Sequence, residues 1–346
     1  MLIDMHAHVI PGRLEAAGGH GPRVHRCDDE RARVLETDRM QFKAVDAFYS
    51  AQRRLEEMDQ SGVDAEAVSP MPPLLDHTLD PADGLTLTRR VNTFVAELCH
   101  HEPRRLLGMG MLPMQDPDLA AAELPVVRDL GLVAVEIASN VVGRSLHAPE
   151  YDGFWAEAER LQMPIFIHAM PADFAGRLPT GLIPVAAFAV GADALLAAAA
   201  ILTSGIAERH PRLRLAFSHG AGGLPMMLPR AQYFWGKTWN EEPSQEGEGP
   251  SPLELARRFY YDGLVFDARA LRFLIDLVGH RQVLVGSDFP AMAREEPAGR
   301  TLRSLGLPER VEQDITWDNA FRFLGIDAPR PAEAQTDTRS AIGATR

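Results

Sequence analysis

Four short apolar runs, far apart in the chain, each stop on a side chain that can bind a metal. They are Ile3-Asp4-Met5-His6-Ala7-His8, Ile165-Phe166-Ile167-His168, Leu215-Ala216-Phe217-Ser218-His219 and Val283-Leu284-Val285-Gly286-Ser287-Asp288. All four read in one sense, apolar first and donor last. Strands that carry their polar groups at the same end must lie parallel if those groups are to meet. Parallel strands in turn need a crossover between each pair.

The rest of the chain supplies those crossovers. Eight β-like runs, at 2–5, 64–69, 106–112, 133–137, 164–168, 213–218, 259–263 and 283–286, alternate with helical patterns. The helices are expected at 48–61, 85–101, 117–130, 151–161, 192–208, 224–234 and 268–278, with two more at 308–315 and 319–324. Eight strand–helix units predict an α/β chain closed as a single (β/α)8 TIM barrel over residues 1–327. Residues 11–46 read as an irregular, charged insertion or cap after strand one, long enough to suggest a functional loop. Residues 240–252 form a Glu/Gly/Pro/Ser-rich loop. Residues 328–346 lack periodicity and large apolar side chains, so a disordered tail is expected.

Bulk properties narrow the partners. Net charge is −13 and no basic run is concentrated anywhere, which argues against nucleic acid and anionic membranes. The longest apolar stretch, 194–202, is mostly alanine and far short of the ~20 residues of a bilayer span. Cys27 and Cys99 are the two cysteines; they offer neither a disulfide framework nor a CxxC metal site. With no basic-then-apolar leader at the N-terminus, a soluble cytoplasmic protein is expected.

Each donor is weak evidence alone. His6 and His8 are two apart and share one side of a strand, but 12 histidines in 346 residues give about 0.4 such pairs by chance. A lone His168 or His219 is more often a satisfied core residue. Asp288 could equally cap a helix. Together they converge on one barrel mouth, where unpartnered polar groups would be costly. A divalent metal is the simplest shared partner. Imidazole and carboxylate suit Zn2+, and also Mn2+, Fe2+ or Co2+.

Five stretches carry a family resemblance: Ile3-Asp4-Met5-His6-Ala7-His8-Val9-Ile10-Pro11, Arg54-Leu55-Glu56-Glu57-Met58-Asp59, Gly110-Met111-Leu112-Pro113-Met114-Gln115, Phe217-Ser218-His219-Gly220-Ala221-Gly222 and Gly286-Ser287-Asp288-Phe289-Pro290. In this order the chain resembles the decarboxylase branch of the amidohydrolase superfamily over roughly residues 1–326. It looks most like the aminocarboxymuconate semialdehyde decarboxylases. The resemblance implies that His6, His8, His168 and Asp288 ligate one metal, usually zinc, which carries a water. It makes His219 a catalytic residue rather than a ligand, with Asp288 also in the catalytic set. A catalytic site needs that open position, and imidazole suits proton transfer near neutral pH. Strand four offers no lysine to bridge two metals. Glu136 could bridge a second ion, although its ordinary role is a salt bridge inside the barrel.

The resemblance also points to substrate contacts. An arginine expected after strand one aligns near Phe42-Lys43, leaving Lys43 and Arg39 as the nearby cations. Phe188 stands where the family has a tryptophan. Arg230 matches an arginine that reaches the neighbouring subunit's site, though it could equally be a surface salt bridge. A homodimer is expected on that resemblance alone. Phe188, Phe289 and Met170 near the mouth would favour a flat aromatic or unsaturated acid, while Met170 and Phe289 could as well be core. His20 and His25, in the insertion, could line the mouth.

The leading expectation is a metal-dependent decarboxylase of a small aromatic or unsaturated carboxylate. A hydrolase or hydratase acting on a lactone, amide or unsaturated acid would use the same donors. A non-catalytic metal-binding protein would have no use for His219.

Overall fold

A computed structural model describes residues 1–26, 32–171, 173–237 and 249–328. Cys27, most of the 240–252 loop and all but the first residue of the expected tail lie outside the described residues. In chain order the strands are β1 (Ile3–Val9), β2 (Arg23–Arg26), β3 (Arg33–Glu36), β4 (Gln41–Ala44), β5 (Ala65–Pro70), β6 (Leu106–Gly110), β7 (Ala134–Ala138), β8 (Asn140–Val141), β9 (Arg144–Ser145), β10 (Ile165–His168), β11 (Leu215–Phe217), β12 (Tyr260–Asp262) and β13 (Val283–Leu284).

Eight of these form one parallel sheet in the order β1-β5-β6-β7-β10-β11-β12-β13. The ring closes where β1 meets the chain just beyond β13. Met5 N–H donates to the Val285 carbonyl (2.8 Å), Asp288 N–H to the His6 carbonyl (2.7 Å) and His8 N–H to the Phe289 carbonyl (2.7 Å). The expected (β/α)8 barrel is therefore the observed fold.

Strand one is longer than its apolar run. It contains both histidines, and a bulge explains why both face inward. Asp4 pairs with Glu66, yet Ala7 pairs with Val68, so β1 takes three steps while β5 takes two. Ile3 and Met5 belong to the inner apolar cluster, whereas Leu2, Ala7 and Val9 belong to the cluster between barrel and helices. The extra residue lets His6 follow Met5 onto the inner face.

The barrel interior has two layers. The lower one is apolar: Ile3, Met5, Met109, Phe166 and Leu284 interleave with Ala65, Ala67, Ala134 and Ala216. Trp317, Phe321 and Leu324 join that cluster and plug the end where the strands begin. Above it, towards the strands' C-terminal ends, the buried side chains turn polar: His6, His8, Ser69, Glu136, His168 and Asp262.

The insertion is not irregular, as its sequence suggested. β2, β3 and β4 form a three-stranded antiparallel sheet, anchored where Phe42 meets Phe48 edge to face at 5.4 Å. Its strands are four residues each and dense in charge, which hides the apolar alternation by which strands are read. A small hairpin of β8 and β9 also went unforeseen, as did the helix Pro252–Ala256, opened by a Ser251/Glu254 capping box. The helical stretch Pro184–Thr203 is long and apolar enough to cross a bilayer by length and composition. In this fold its second half buries Ala194, Ala197, Ala198, Ile201 and Leu202.

On the barrel's outer wall, four charged side chains are buried together. Arg54 Nη1 lies 2.8 Å from Glu66 Oε2, and Arg294 pairs with both Glu66 and Asp4. Arg54 also donates to the carbonyls of Ala47 and His8. The Phe289 ring sits 4.1 Å from the Arg294 guanidinium and 5.7 Å from that of Arg54. Removing one member strands its partner's charge away from water.

Arg54→Met is accordingly expected to cost ~3–5 kcal/mol of folding stability, read by urea unfolding. A loss under about 1 kcal/mol would mean the network is as dispensable as a surface pair. A pH effect comes from His77, in the turn after β5. Burial pushes its imidazole down to about 4, against a weaker opposing pull from the Leu112 carbonyl. The unfolded chain, with its imidazole near the ordinary value of about 6.5, binds a proton first on acidification. Stability is then full above that value and falls by roughly 3 kcal/mol towards the folded value. His77→Asn should flatten unfolding free energy against pH in that window; an unchanged slope assigns the loss elsewhere.

Candidate metal centre

The structure brings His6, His8, His168 and Asp288 together: one donor atom from each lies within 4.8 Å of all the others. The three imidazoles are fully or almost fully buried, and the Asp288 carboxylate is the most open of the four. His6 Nε2 faces His8 Nε2 at 3.2 Å, and Asp288 Oδ1 lies 3.1 Å from His8 Nε2. The rings meet edge to face with centroids 4.9–5.1 Å apart for His6 with His168 and with Phe166.

Each ring is held from behind. His6 Nδ1–H donates to Asp262 Oδ2 at 2.6 Å, and His168 Nδ1–H donates to the Ala169 carbonyl at 2.8 Å. His8 Nδ1 lies 3.2 Å from Ser69 Oγ. With Nδ1 engaged, Nε2 is the free donor atom. His168 Nε2 is buried and has no hydrogen-bond partner among the described residues. Lone pairs that face one another and a carboxylate cannot satisfy one another. A divalent cation can, so the residues fit the ion.

Charge follows the same logic. Burial, the largest single effect, pulls His6 down, but the Asp262 hydrogen bond together with the charges of Asp262, Asp288 and Glu136 outweighs it and holds the imidazole up at about 9 without an ion; a bound cation takes the place of that proton on Nε2. Burial raises Asp262 and Asp288, and contact with histidines more than reverses it, so both stay well ionised. Burial, then the neighbouring imidazoles, press His168 far below its usual range. His219 is lowered mainly by burial.

His219 stands beside this group without joining it, with its ring centroid 5.2 Å from that of His6 and 5.7 Å from that of His168. It sits on a turn of left-handed backbone: His219, Gly220, Ala221 and Gly222 have φ of 52°, 58°, 55° and 57°. A side chain at Gly222 would put Cβ 1.9 Å from the Gly191 carbonyl oxygen, so only glycine lets the turn approach the helix Val190–Thr203. Asp288 is also left-handed, at φ 59°. Non-glycine residues held this way concentrate at functional sites. Gly286 has a different duty, since a Cβ there would come 2.8 Å from the Cβ of His6.

Asp262 was not foreseen from sequence. It grips His6 and also accepts from the Gly220 backbone N–H at 3.2 Å, tying a candidate ligand to the turn that carries His219. Its signal was present: Phe259-Tyr260-Tyr261-Asp262 is another apolar run that stops on a carboxylate. Glu136 faces the site from β7 but makes no salt bridge among the described residues; it accepts a hydrogen bond from Ser69 instead.

The expected substrate residues are placed more widely. Phe289 turns its ring between Arg54 and Arg294, the packing role that the sequence left open beside a place at the mouth. Met170 packs against the apolar core. Phe188 is exposed. Arg230 is exposed on the helix Leu224–Phe234, with its guanidinium 5.1 Å from the Phe234 ring centre. Lys43 is exposed on β4, paired in register with Val34.

Residues 3–326 match the family model described as amidohydrolase. The chain belongs to the amidohydrolase family. A 2-amino-3-carboxymuconate-6-semialdehyde decarboxylase of Dictyostelium discoideum is 29% identical, over 94% of this chain and 92% of its own. A gamma-resorcylate decarboxylase of Rhodococcus jostii is 30% identical, over 81% and 85%. Among solved structures, a dihydroxybenzoic acid decarboxylase from Polaromonas sp., with bound manganese and the inhibitor 2-nitroresorcinol, superposes with a TM-score of 0.71. It is 23% identical and covers 94% of this chain and 96% of that one. This amidohydrolase thus shares its barrel with a metal-bound decarboxylase.

If Asp288 is a ligand, Asp288→Ala should lower retained divalent metal at least ~10-fold, read by elemental analysis after metal loading and dialysis. Full occupancy in the variant would remove Asp288 from the ligand set.

Proposed function

We propose that this chain catalyses the metal-dependent, non-oxidative decarboxylation of an aromatic or unsaturated carboxylic acid, using zinc or manganese. The observation that carries this reading is the convergence of three imidazole Nε2 atoms and Asp288 Oδ1 beside a fifth group, His219, that needs no place among them. Relatives along nearly the whole chain bear the names of decarboxylases, which favours loss of CO2 over hydrolysis on the same donors.

A divalent ion held by His6, His8, His168 and Asp288 supplies Lewis-acid binding for a carboxylate or neighbouring oxygen. The protein's own part is to aim and to move protons. Burial keeps His219 neutral near pH 7, so it first accepts a proton from solvent at the barrel mouth; once charged, it passes that proton to the carbon bearing the carboxylate. The carbon–carbon bond then breaks, its electron pair stays with the ring or diene, and CO2 leaves. One proton is added to carbon for each CO2 released. Asp262 holds the turn that fixes His219, so the proton is delivered from one direction.

A homodimer fits the surface. Leu182, Ile183, Phe188 and Met226 are 82%, 70%, 64% and 66% exposed. They sit on or beside the helical stretches Pro184–Thr203 and Leu224–Phe234, which also carry Arg230. Monomers rarely leave such a group uncovered. A second copy over this face would bring Arg230 to the partner's mouth to meet the substrate carboxylate.

His219→Asn is expected to retain its metal while kcat falls ~10²–10⁴-fold, measured as CO2 release from a panel of hydroxybenzoates, aminobenzoates and muconates. Normal turnover defeats the proton-transfer role, and lactone hydrolysis without CO2 replaces decarboxylase with hydrolase. Arg230→Ala should raise KM by roughly 10-fold or more, the scale of one lost charged hydrogen bond. Mixing it with an inactive His219→Asn protomer should restore the parent KM if Arg230 acts across subunits; an unchanged KM in the pure variant makes it a surface residue.

A further inference from the structure

Of the three ligand histidines, His6 is braced by a carboxylate and His168 by a backbone carbonyl. His8 is braced by a hydroxyl, which by itself does not fix where the ring proton sits, because Ser69 Oγ can donate or accept. What lies behind the hydroxyl decides the matter. Ser69 Oγ is 2.7 Å from Glu136 Oε2, and both residues are fully buried. Glu136 is not one of the donors clustered for the ion, and its other oxygen, Oε1, has no hydrogen-bond partner among the described residues. A buried carboxylate left half satisfied needs a reason to be there.

We propose that Ser69 and Glu136 form a positioning relay that presents His8 Nε2 to the metal. The hydroxyl has one proton. Its contact with Glu136 is shorter than its alternative, the Ala7 carbonyl at 3.3 Å, and a carboxylate is the stronger acceptor. The proton therefore goes to Glu136, and Ser69 Oγ is left to accept from His8 Nδ1–H. That fixes the tautomer with Nε2 unprotonated and aimed inward. The relay spans β1, β5 and β7, so it also ties the ligand strand to a strand on the far side of β6. Glu136 is thus assigned a structural duty towards His8 in place of a second metal.

The inference rests on the metal reading but not on decarboxylation, so it is tested by ion binding. The probe is Co2+, with affinity measured by chelator competition and ligand geometry by the visible spectrum; thermal unfolding of each variant checks that it folds. Ser69→Ala removes the hydroxyl. Glu136→Asp keeps the charge but withdraws the acceptor by one methylene. Both are expected to weaken Co2+ binding ~10- to 100-fold, the usual effect of losing a partner behind a metal-bound histidine, and to alter the spectrum. Glu136→Gln still offers an oxygen at the same reach and should stay within about 5-fold of the parent, a smaller loss than the bottom of that range. Parent-like binding by Ser69→Ala overturns the relay. So does a loss in Glu136→Gln as large as that in Glu136→Asp, because the carboxylate would then act through its charge alone. If Ser69→Ala does not fold, the comparison of the two Glu136 variants decides. A parent that binds no Co2+ fails the metal reading instead.

Discussion

The mouth of this barrel depends on the seam where β1 meets the chain after β13. The hydrogen bond from Asp288 N–H to the His6 carbonyl, and its neighbour from His8 N–H to the Phe289 carbonyl, set the first strand against the last. These bonds do more than close the sheet. They fix Asp288 relative to both histidines through backbone, which is stiffer than any side-chain contact. Gly286 is what allows the approach, because a methyl group there would meet His6. The bulge in β1 then points both imidazoles inward. Backbone pairing, one missing side chain and one extra residue together place three of the four donors.

A polar layer inside a barrel is costly to bury unless every member has a partner. Here the partners lie one step behind the donors: Asp262 for His6, Ser69 and Glu136 for His8, and a backbone carbonyl for His168. Below them the alanine-rich layer gives Phe166 and the methionines room to pack, so the polar groups rest on a solid floor. Outside the wall, Arg54 and Arg294 neutralise Asp4 and Glu66 and enclose Phe289. The loop that presents Asp288 is thereby clamped on its far side, which helps to hold a left-handed residue that would otherwise relax. His219 is held by the other device available to a strained turn, a run of small residues with a carboxylate accepting from the backbone.

Much of this was legible in the sequence. The parallel barrel followed from eight apolar runs, and the five candidate donors, His219 among them, from runs that all stop on a donor at the same end; only the resemblance separated four ligands from His219. Those features survive in sequence because strand period and chain direction are local. What was hidden depends on contacts between distant strands. Asp262 carries the same run-then-donor signal as Asp288, but nothing local says that it faces a histidine rather than the metal. Glu136 and Ser69 are single polar residues in apolar strands, unremarkable until brought within reach of His8. Phe289 follows the candidate ligand Asp288 in the chain, and alternation alone could not show that two arginines from other elements would claim its ring. The insertion was misread because four-residue strands rich in arginine do not alternate enough to be seen. Lys43 and Arg230 were aligned by resemblance, and their side chains lie exposed at the surface, where strand and helix period say nothing about what they reach.

The seam and the metal site are two ends of one interaction. His6 and His8 belong to the first barrel strand and Asp288 to the segment that closes the ring, so an ion bound by all three ties the beginning of the domain to its end. A cross-link of that kind acts on a long closed loop, where the constraint on the unfolded chain is greatest. It also binds the folded state alone, because the unfolded chain does not keep these donors together, and its binding free energy becomes folding free energy. The outer ion network works on the same seam from the other side, through Arg294 on Asp4 and Glu66. A barrel has no edge only while that seam is shut. The groups that make the chemistry possible are therefore also among those that keep the ring closed.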